Sequence, residues 1–401
     1  MTRLQEASGY LPVLGAASCA LLAYTIYSRS GTHTRDVIIR SPLTDVLRLP
    51  SRDRDRLPYP PDGLPGGRTV DSPYGSVRVH EWGPENGRKV LLIHGISTPA
   101  VALASVAEEL VENGCRVMLF DIFGRGYSCT PNPITEPHDM KLFTSQILIV
   151  LASSPLAWTG EEGFSLIGYS LGGGIAATFT SYFPTLVDSL ILVAPAGLIR
   201  QNRISWTSKL LYEGVLPHSL VSWLVWRRLG GHEKKTRETK TIEPIDLVDE
   251  ETTTSHPALS PDSQAPLRPR RPSVSVADAV GWQLHNHKGF LPAFISSIQH
   301  APISNQHEHW RRIGSRLRAQ RIQTALNPQD SSRQGLREGK VLMILGRADD
   351  IILADQVSED ARGALGEENV DIKVLEGGHD IPIVRAQAVA KSITDFWSEC
   401  E

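Results

Sequence analysis

The pentapeptide Gly-Tyr-Ser-Leu-Gly at residues 168–172 decides the predicted fold. It follows the apolar run 164–167, which predicts a buried strand, and it leads into residues 171–182, whose spacing predicts a helix. A serine flanked by glycines between a strand and a helix is typical of a tight turn that holds the hydroxyl above the end of a sheet. The flanking glycines suit positions where neighbouring backbone leaves no room for a Cβ atom. The stretch therefore predicts Ser170 as a nucleophile.

A serine hydroxyl needs a base, and the base needs a third group that orients it. In this arrangement the expected chain order is serine, acid, histidine. The strand predicted at 341–345 is followed by Asp349 and Asp350, and the strand predicted at 370–375 is followed by His379. Both places are carboxyl ends of predicted strands, where α/β sheets carry their chemistry. The residues alone leave Asp349 and Asp350 as competing acids, with His379 as the base.

Short β-rich runs alternate with helical stretches along much of the chain. Strands are predicted at 77–80, 90–93, 116–120, 164–167, 190–193, 341–345 and 370–375, and helices at 101–110, 140–151, 171–182 and 384–397. This alternation predicts an α/β fold with a mostly parallel central sheet covered by helices on both faces. The predicted core domain comprises residues 70–199 and 335–401. Between them, at 200–334, apolar helical stretches predict a cap that carries a disordered insert at about 232–275, where the sequence is charged and rich in Ser, Thr and Pro.

The chain resembles the α/β-hydrolase superfamily in five motifs that occur in the family's order. Besides the serine pentapeptide they are His-Gly-Ile at 94–96, Asp-Ile-Phe-Gly-Arg-Gly-Tyr-Ser at 121–128, Gly-Arg-Ala-Asp-Asp-Ile at 346–351 and Gly-Gly-His at 377–379. The Gly-x-x-Asp-x-Ile context of the family favours Asp349 over Asp350 as the acid. The serine at position 170 separates the chain from relatives that carry an aspartate there, such as epoxide hydrolases and haloalkane dehalogenases. The insertion lies where relatives carry a helical cap.

The resemblance also implies the roles of several loop residues. The backbone N–H groups of Leu171 and Ile96 would donate to an oxyanion, and His94 would hold the second of these loops by hydrogen bonds. The glycines implied to support the two turns are Gly95, Gly168 and Gly172. The implied activity is that of a serine hydrolase, similar to capped esterases and lipases, which needs no cofactor and no metal.

The leading functional prediction is cleavage of a carboxylic ester of a hydrophobic or lipid-like substrate through an acyl-enzyme. The same three residues would also serve a thioesterase, an amidase, a lactonase, a carbon–carbon bond hydrolase or an acyltransferase. A ligand-binding member of the fold without catalysis is the alternative from another class. Aromatic residues of the insertion could line an acyl pocket, rest on lipid or pack within the cap: Trp206, Trp223, Trp226, Phe290 and Phe294. Three arginines are expected to be solvated, with contact to an acidic substrate or to lipid head groups as the alternative: Arg125, Arg227 and Arg228.

Residues 1–30 are predicted to form an uncleaved membrane anchor. The run 9–27 contains no charged residue and is just long enough to cross a bilayer. Arginines follow it, which favours a catalytic domain in the cytosol. A cleaved signal peptide, and so a secreted protein, is one alternative, and a helix that lies on the membrane or is buried is another. Residues 31–69, rich in Arg, Asp and Pro, are predicted to be a tether.

Composition excludes several classes of protein. Of 401 residues, 41% are hydrophobic and 21% are charged, which is ordinary for globular domains and excludes wholesale disorder, collagen and coiled coils. A net charge of -3 gives no indication of a nucleic-acid partner. The four cysteines match neither a zinc site nor a disulfide framework. The histidines of the insertion have no metal-ligand spacing and are expected on polar faces of the cap: His285, His287, His300, His307 and His309. The oligomeric state is left open.

Overall fold

The central sheet forms from apolar runs that are buried on both faces. The computed structural model describes residues 37–160, 163–200, 218–230, 264–327 and 335–400. The strands are β1 (Ile38–Ile39), β2 (Gly67–Val70), β3 (Val77–Trp82), β4 (Lys89–Ile93), β5 (Arg116–Phe120), β6 (Thr130–Pro131), β7 (Phe164–Tyr169), β8 (Val187–Val193), β9 (Val341–Gly346) and β10 (Val370–Leu375). In these ranges all seven predicted strands are present, together with three further strands: β2, which pairs with β3, and the two-residue strands β1 and β6, which pair with each other.

Eight of these strands form one sheet in the order β10-β9-β8-β7-β4-β5-β3-β2. The pairs from β10 to β5 are parallel, and β3 is antiparallel to both of its neighbours, β5 and β2. Strand order reverses next to β4, so the loops that follow β4 and β7 open beside one another at the carboxyl edge. Such a reversal is where open α/β sheets bind their ligands.

The helices cover the sheet as the direction of each crossover requires. They are α1 (Leu43–Leu47), α2 (Ser51–Arg54), α3 (Ala104–Glu112), α4 (Met140–Ala152), α5 (Leu171–Tyr182), α6 (His218–Gly230), α7 (Val276–Asn286), α8 (Phe290–His300), α9 (His307–Leu326), α10 (Ala354–Leu365), α11 (Ile381–Val384) and α12 (Ala386–Cys400). The crossover from β4 to β5 moves across the sheet toward β2, whereas the later crossovers, from β5 to β7 and on to β10, move toward the opposite edge. Because crossovers are right-handed, α3 lies on one face of the sheet and α4, α5, α9 and α10 lie on the other. In agreement, α3 packs against α12, and α9 packs between α5 and α10.

The predicted cap extends too far toward the C-terminus. Helix α9 lies within the predicted limits of the cap, 200–334, yet it packs against two helices of the core. A Cβ atom on Gly314 of α9 would lie 2.0 Å from the carbonyl oxygen of Leu365, which shows how closely α9 approaches the end of α10. The described cap helices are therefore α6, α7 and α8, and α9 belongs to the layer beside the sheet.

The prediction of a tether at 31–69 is wrong for its described part, which begins at residue 37. Tyr59 and Leu64 are 0% and 3% exposed, and the Tyr59 hydroxyl lies 2.9 Å from His80 Nε2. The Tyr127 hydroxyl donates to the carbonyl of Tyr59. The buried side chains of Tyr59 and Leu64 fix this segment although its sequence has no apolar period. A segment without regular secondary structure can still bury side chains and form hydrogen bonds through its carbonyl groups.

The predicted disordered insert is wrong for residues 264–275, whereas residues 231–263 lie outside the described ranges. Leu267 is 2% exposed, and its N–H donates to the carbonyl of Val274 at 2.7 Å. The Arg268 guanidinium donates to the carbonyl of Gly63 at 2.7 Å and pairs with Glu108. This stretch is ordered because its arginines satisfy carbonyl groups of the irregular N-terminal segment.

The predicted membrane anchor precedes the first described residue and so lies outside the described ranges. From residue 37 onward, none of the described helices combines the length and the hydrophobicity that crossing a bilayer requires.

Candidate active site

Ser170 occupies a strained turn between β7 and α5. Its φ is 52° and its ψ is -118°, a conformation that L-residues rarely adopt and that recurs at functional sites. A Cβ atom on Gly168 would lie 2.2 Å from the carbonyl oxygen of Gly172, and one on Gly172 would lie 2.1 Å from that of Ile93. Both glycines are therefore required by close contact between backbone segments. The turn holds the Ser170 hydroxyl at the carboxyl edge of the sheet.

The structure brings Ser170, His379 and Asp349 together in one chain of hydrogen bonds. His379 Nε2 lies 3.0 Å from Ser170 Oγ, and His379 Nδ1 lies 2.9 Å from Asp349 Oδ2. A carboxylate can only accept, so Nδ1 carries the proton and Nε2 is free to accept the proton of the serine hydroxyl. Asp349 and His379 are 4% and 5% exposed, so bulk water does not compete for these contacts.

The structure places Asp349, and not its neighbour Asp350, against the imidazole. The other carboxylate oxygen of Asp349, Oδ1, accepts from the N–H groups of Ile351 at 2.9 Å and Ile352 at 2.8 Å. The loop that carries Asp349 is joined to the loop that carries His379, because the Ala348 N–H donates to the carbonyl of Gly377 at 2.9 Å. The acid and the base are thus held by backbone contacts as well as by their own hydrogen bond.

His94 orients the peptide group whose N–H belongs to Ile96. The Ile122 N–H donates to His94 Nε2 at 2.9 Å, so the ring proton is on Nδ1, which lies 2.8 Å from the carbonyl oxygen of Gly95. The Gly95 carbonyl and the Ile96 N–H belong to one planar trans peptide, so fixing the first fixes the direction of the second. Burial lowers the pKa of His94 to about 3, and the ring therefore stays neutral.

The loop of Gly95 and Ile96 lies against the serine turn. A Cβ atom on Gly95 would lie 3.2 Å from the Tyr169 ring and 3.4 Å from the Ser170 Cβ. Leu171 begins α5, and the first N–H groups of a helix have no partner within it. The Leu171 N–H is thus available, and its turn adjoins the loop that carries the Ile96 N–H. A developing oxyanion needs two such donors, as the sequence predicts for this pair.

Two further residues at this site were not predicted. The Tyr169 hydroxyl donates to Asp380 Oδ1 at 2.8 Å, and the Tyr169 ring lies 5.4 Å from the His379 ring between centroids. Their only sequence signal is that each is adjacent to a predicted site residue. Burial disfavours the charged imidazole, but the carboxylates of Asp349, Asp380 and Asp350 outweigh burial and raise the pKa of His379 above its ordinary value of 6.5.

The expectation that Arg125 is solvated is wrong, since its side chain is completely buried. His287 is also buried, at 2% exposure, and its Nε2 lies 2.8 Å from the carbonyl oxygen of Ser128, so it does not lie on a polar face. The reason is the same for both residues: carbonyl groups of the 121–128 loop need donors where the cap covers them. Within the described ranges, no three His, Cys, Asp or Glu side chains are grouped as metal ligands would be.

The aromatic residues of the insertion divide into two groups. Phe290 and Phe294 on α8 are buried, at 0% and 3% exposure. Trp223 and Trp226 on α6 are exposed, at 52% and 44%. Trp206 lies outside the described residues. The first pair belongs to the main hydrophobic core, which the cap shares with the sheet, and the second pair contributes to the surface of the cap.

Comparison with known proteins identifies relatives for the first part of the core. Residues 84–263, which include Ser170 but neither Asp349 nor His379, match a family model described as serine aminopeptidase, S33. The human serine hydrolase-like protein is 32% identical over 133 residues, which are 33% of this chain and 62% of that protein. The zebrafish serine hydrolase-like protein is 29% identical over 127 residues, which are 32% of this chain and 37% of that protein. The chain thus spans little more than a third of the zebrafish relative.

Solved structures are similar over most of the chain. A bacterial membrane phospholipase A has a TM-score of 0.52 at 17% identity, covering 100% of this chain and 99% of that one. A putative lipase from Acinetobacter baumannii has a TM-score of 0.53 at 16% identity, covering 92% and 99%. An enol-lactonase from Burkholderia xenovorans has a TM-score of 0.52 at 15% identity, covering 82% and 100%. At such identities the similarity shows the fold alone.

Proposed function

We propose that this chain, which belongs to the α/β-hydrolase superfamily, is a serine hydrolase that cleaves carboxylic esters of hydrophobic substrates. The observation that carries the proposal is the hydrogen-bonded series from Ser170 Oγ through His379 to Asp349, built on the strained turn after β7. A serine at 3.0 Å from an imidazole whose other nitrogen faces a carboxylate has the arrangement that acyl transfer requires.

In the first half of the reaction Ser170 Oγ attacks the carbonyl carbon of the ester and its proton passes to His379 Nε2. The carbonyl oxygen becomes an oxyanion that accepts from the N–H groups of Leu171 and Ile96. When the tetrahedral intermediate collapses, the bond from carbon to the alcohol oxygen breaks, and His379 returns the proton to that oxygen. The alcohol leaves, and the acyl group stays on Ser170.

In the second half, water takes the place of the alcohol. His379 accepts a proton from the water as its oxygen attacks the acyl carbon, and the same two N–H groups hold the second oxyanion. Collapse breaks the bond to Ser170 Oγ, which recovers its proton from His379, and the carboxylic acid leaves. Asp349 keeps its hydrogen bond to His379 Nδ1 and stabilises the imidazolium in both halves.

The hydrophobic character of the substrate is supported by the cap. Its helix α8 begins with the apolar residues 290–295, and through Ser297 it is joined to Arg125 of the loop after β5, at the same edge of the sheet as the serine turn. A membrane partner, through the anchor predicted at residues 1–30, would favour esters that partition into lipid. This membrane attachment, with the catalytic domain in the cytosol, is part of the proposal.

An acyl-enzyme would also form from a thioester, an amide, a lactone or a ketone whose adjacent carbon–carbon bond is cleaved. An acyltransferase would differ only in the second nucleophile. A ligand-binding role without catalysis is disfavoured because the hydrogen-bonded series of Ser170, His379 and Asp349 (the relay) is complete. We rank the ester above the amide because an alkoxide is a better leaving group than an amine. The thioester, whose thiolate leaves more readily still, is the second candidate. The alternatives are separated by leaving group.

The proposal is tested on the full chain in detergent. We expect hydrolysis of p-nitrophenyl esters, with kcat/KM rising from the acetyl to the octanoyl ester, and labelling by a fluorophosphonate that maps to Ser170. Octanoyl thioester and anilide with matched acyl groups compare the leaving groups. No turnover of any acyl compound, together with no labelling, would contradict the proposal, and a preference for the anilide would replace the ester by an amide.

The dependence of activity on pH follows from the carboxylates around His379. The base must be neutral, so kcat/KM should rise with pH through an ionisation whose pKa lies above 6.5. Asp380→Asn removes one carboxylate that stabilises the imidazolium, so the pKa of His379 falls and the rise moves to lower pH. The measurement is the pH profile of kcat/KM for both proteins, with Asp395→Asn on α12, which is exposed and pairs with Lys391, as the matched control. A shift to higher pH in Asp380→Asn would show that the electrostatic assignment is wrong.

A further inference from the structure

Three consecutive carbonyl groups of the loop after β4 each accept a hydrogen bond from a buried side chain. The Gly95 carbonyl accepts from His94 Nδ1 at 2.8 Å, as described above. The Ile96 carbonyl accepts from Arg125 Nε at 2.9 Å. The Ser97 carbonyl accepts from Gln283 Nε2 at 2.9 Å. The loop is therefore held at the peptide group that contains the Ile96 N–H and at the next two peptide groups.

Arg125 is a charged residue in a fully buried position. It is 0% exposed, and its remaining hydrogen bonds go to the carbonyl of Phe123 at 3.0 Å and to Ser297 Oγ of α8 at 3.0 Å. None of the ion pairs among the described residues includes it, so a full positive charge is buried against carbonyl and hydroxyl oxygens alone. Burial lowers its pKa to about 9, which leaves it protonated at neutral pH. A charge placed at such a cost in desolvation needs several hydrogen bonds with well-defined geometry.

Gln283 connects the same loop to the other cap helix. It lies on α7 and is 0% exposed. Its Oε1 accepts from the Gly126 N–H at 2.8 Å, which fixes the amide orientation, and its Nε2 donates to Ser97. The side chain therefore joins three segments: the cap, the loop after β4 and the 121–128 loop.

We propose that Arg125 and Gln283 are positioning residues that lock the oxyanion loop, and that the cap helices α7 and α8 thereby support the rate of the chemical step. The proposal deepens the hydrolase function and rests on it. Arg125 reaches α8 through Ser297, and Gln283 is part of α7, so both helices are linked to the peptide groups around Ile96. The cap is then a structural part of the oxyanion site, in addition to covering the substrate.

The physical consequence is confined to the transition state. A substrate carbonyl makes weak use of the Ile96 N–H, whereas the oxyanion depends on it, so a small displacement of the loop lowers kcat more than it changes KM. Removing a donor altogether costs about 10²–10³-fold in rate. Loosening a loop that keeps its donor should cost less, about 10–100-fold.

The experiment compares Arg125→Met and Gln283→Met, which keep the size of the side chains and remove their donors. For each we expect kcat to fall about 10–100-fold with KM within about twofold, and the affinity for an octyl trifluoromethyl ketone, which forms a tetrahedral adduct with Ser170, to weaken by a similar factor. Arg125→Lys, which retains one charged donor, should recover part of the loss. The double variant should lose less than the product of the two factors, because both residues act on one loop.

The matched control is Arg268→Met. Arg268 also joins the insertion to the core, through Gly63 and Glu108, but it does not contact the oxyanion loop. It should lower the temperature of unfolding and leave kcat unchanged. A fall in kcat for Arg268→Met as large as that for Arg125→Met would overturn the proposal, since loss of activity would then follow loss of stability.

A second readout does not depend on turnover and so separates this proposal from the proposed function. Hydrogen exchange of the peptide that covers residues 94–98 should be faster in Arg125→Met and Gln283→Met than in the parent chain and Arg268→Met. Unchanged exchange in both variants, or a rise in KM with kcat preserved, would overturn the assignment. If the parent chain hydrolyses no ester, the hydrolase function fails, and the exchange rates still decide whether the two residues lock the loop.

Discussion

Replacing Ser170 by alanine is expected to lower kcat/KM for the best ester by about 10⁵–10⁶-fold and to abolish fluorophosphonate labelling. The substitution removes the atom that forms the acyl-enzyme. Because that hydroxyl lies 3.0 Å from His379 Nε2, its loss also leaves the imidazole without a group to deprotonate. What remains is catalysis by the oxyanion donors and by substrate binding alone. Steady-state hydrolysis of p-nitrophenyl octanoate, followed over a long time course, measures the residual rate.

A double variant makes this prediction sharper. His379→Ala should be nearly as slow as Ser170→Ala, and Ser170→Ala combined with His379→Ala should be no slower than either alone, because the two residues act as a unit. Ser398→Ala, at an exposed serine on α12 whose hydroxyl donates to the Thr394 carbonyl of the same helix, is the control for an ordinary loss of a hydroxyl. Losses that multiply in the double variant would mean that Ser170 and His379 act independently, and the relay would be rejected.

The sequence was sufficient for the parts of the fold that depend on local pattern. Strands β4 and β9 are apolar runs buried on both faces, and such runs are recognisable without knowledge of their neighbours. The serine turn could be located because its glycines are required by close backbone contacts, either within a few residues or with the neighbouring strand β4. The order of acid and base after β9 and β10 followed from the rule that parallel strands bring their carboxyl ends to one edge.

The parts that could not be predicted depend on contacts between distant segments. Arg125 appeared solvated because an arginine is usually exposed, and its partners Ile96 and Ser297 are not adjacent to it in sequence. Gln283 carries no motif at all, and it lies 157 residues from its partner Gly126. The segment around Tyr59 has no apolar period, so its burial depends on contacts with distant residues such as His80 and Tyr127. Hydrogen bonds between residues that are far apart in the sequence leave no periodic pattern from which they could be predicted.

The choice between Asp349 and Asp350 shows where local sequence stops being informative. Both side chains follow β9 and differ by one position, and only the family context favoured the first. In the structure Asp349 Oδ2 lies 2.9 Å from His379 Nδ1, whereas the influence of Asp350 on the imidazole is that of a nearby charge. The two residues therefore permit a test with the same chemical change at adjacent positions.

Asp349→Asn is expected to lower kcat about 10⁴-fold with little change in KM. The N–H groups of Ile351 and Ile352 need an acceptor, so the amide oxygen of the new side chain should stay against them and its NH₂ group should face His379. That group cannot accept from Nδ1, so the ring takes the tautomer with the proton on Nε2. This tautomer cannot accept the proton of Ser170, and the nucleophile is no longer activated.

The matched control is Asp350→Asn, which removes a neighbouring charge without altering the tautomer. Its kcat should stay within about tenfold of the parent, and its pH profile should move slightly to lower pH because one carboxylate that favours the imidazolium is lost. Fluorophosphonate labelling of the Asp349→Asn protein should be slow yet still map to Ser170, since the serine itself is intact. If instead Asp350→Asn loses the larger share of kcat, Asp350 is the orienting acid, and the hydrogen bond from His379 to Asp349 does not persist in the working enzyme.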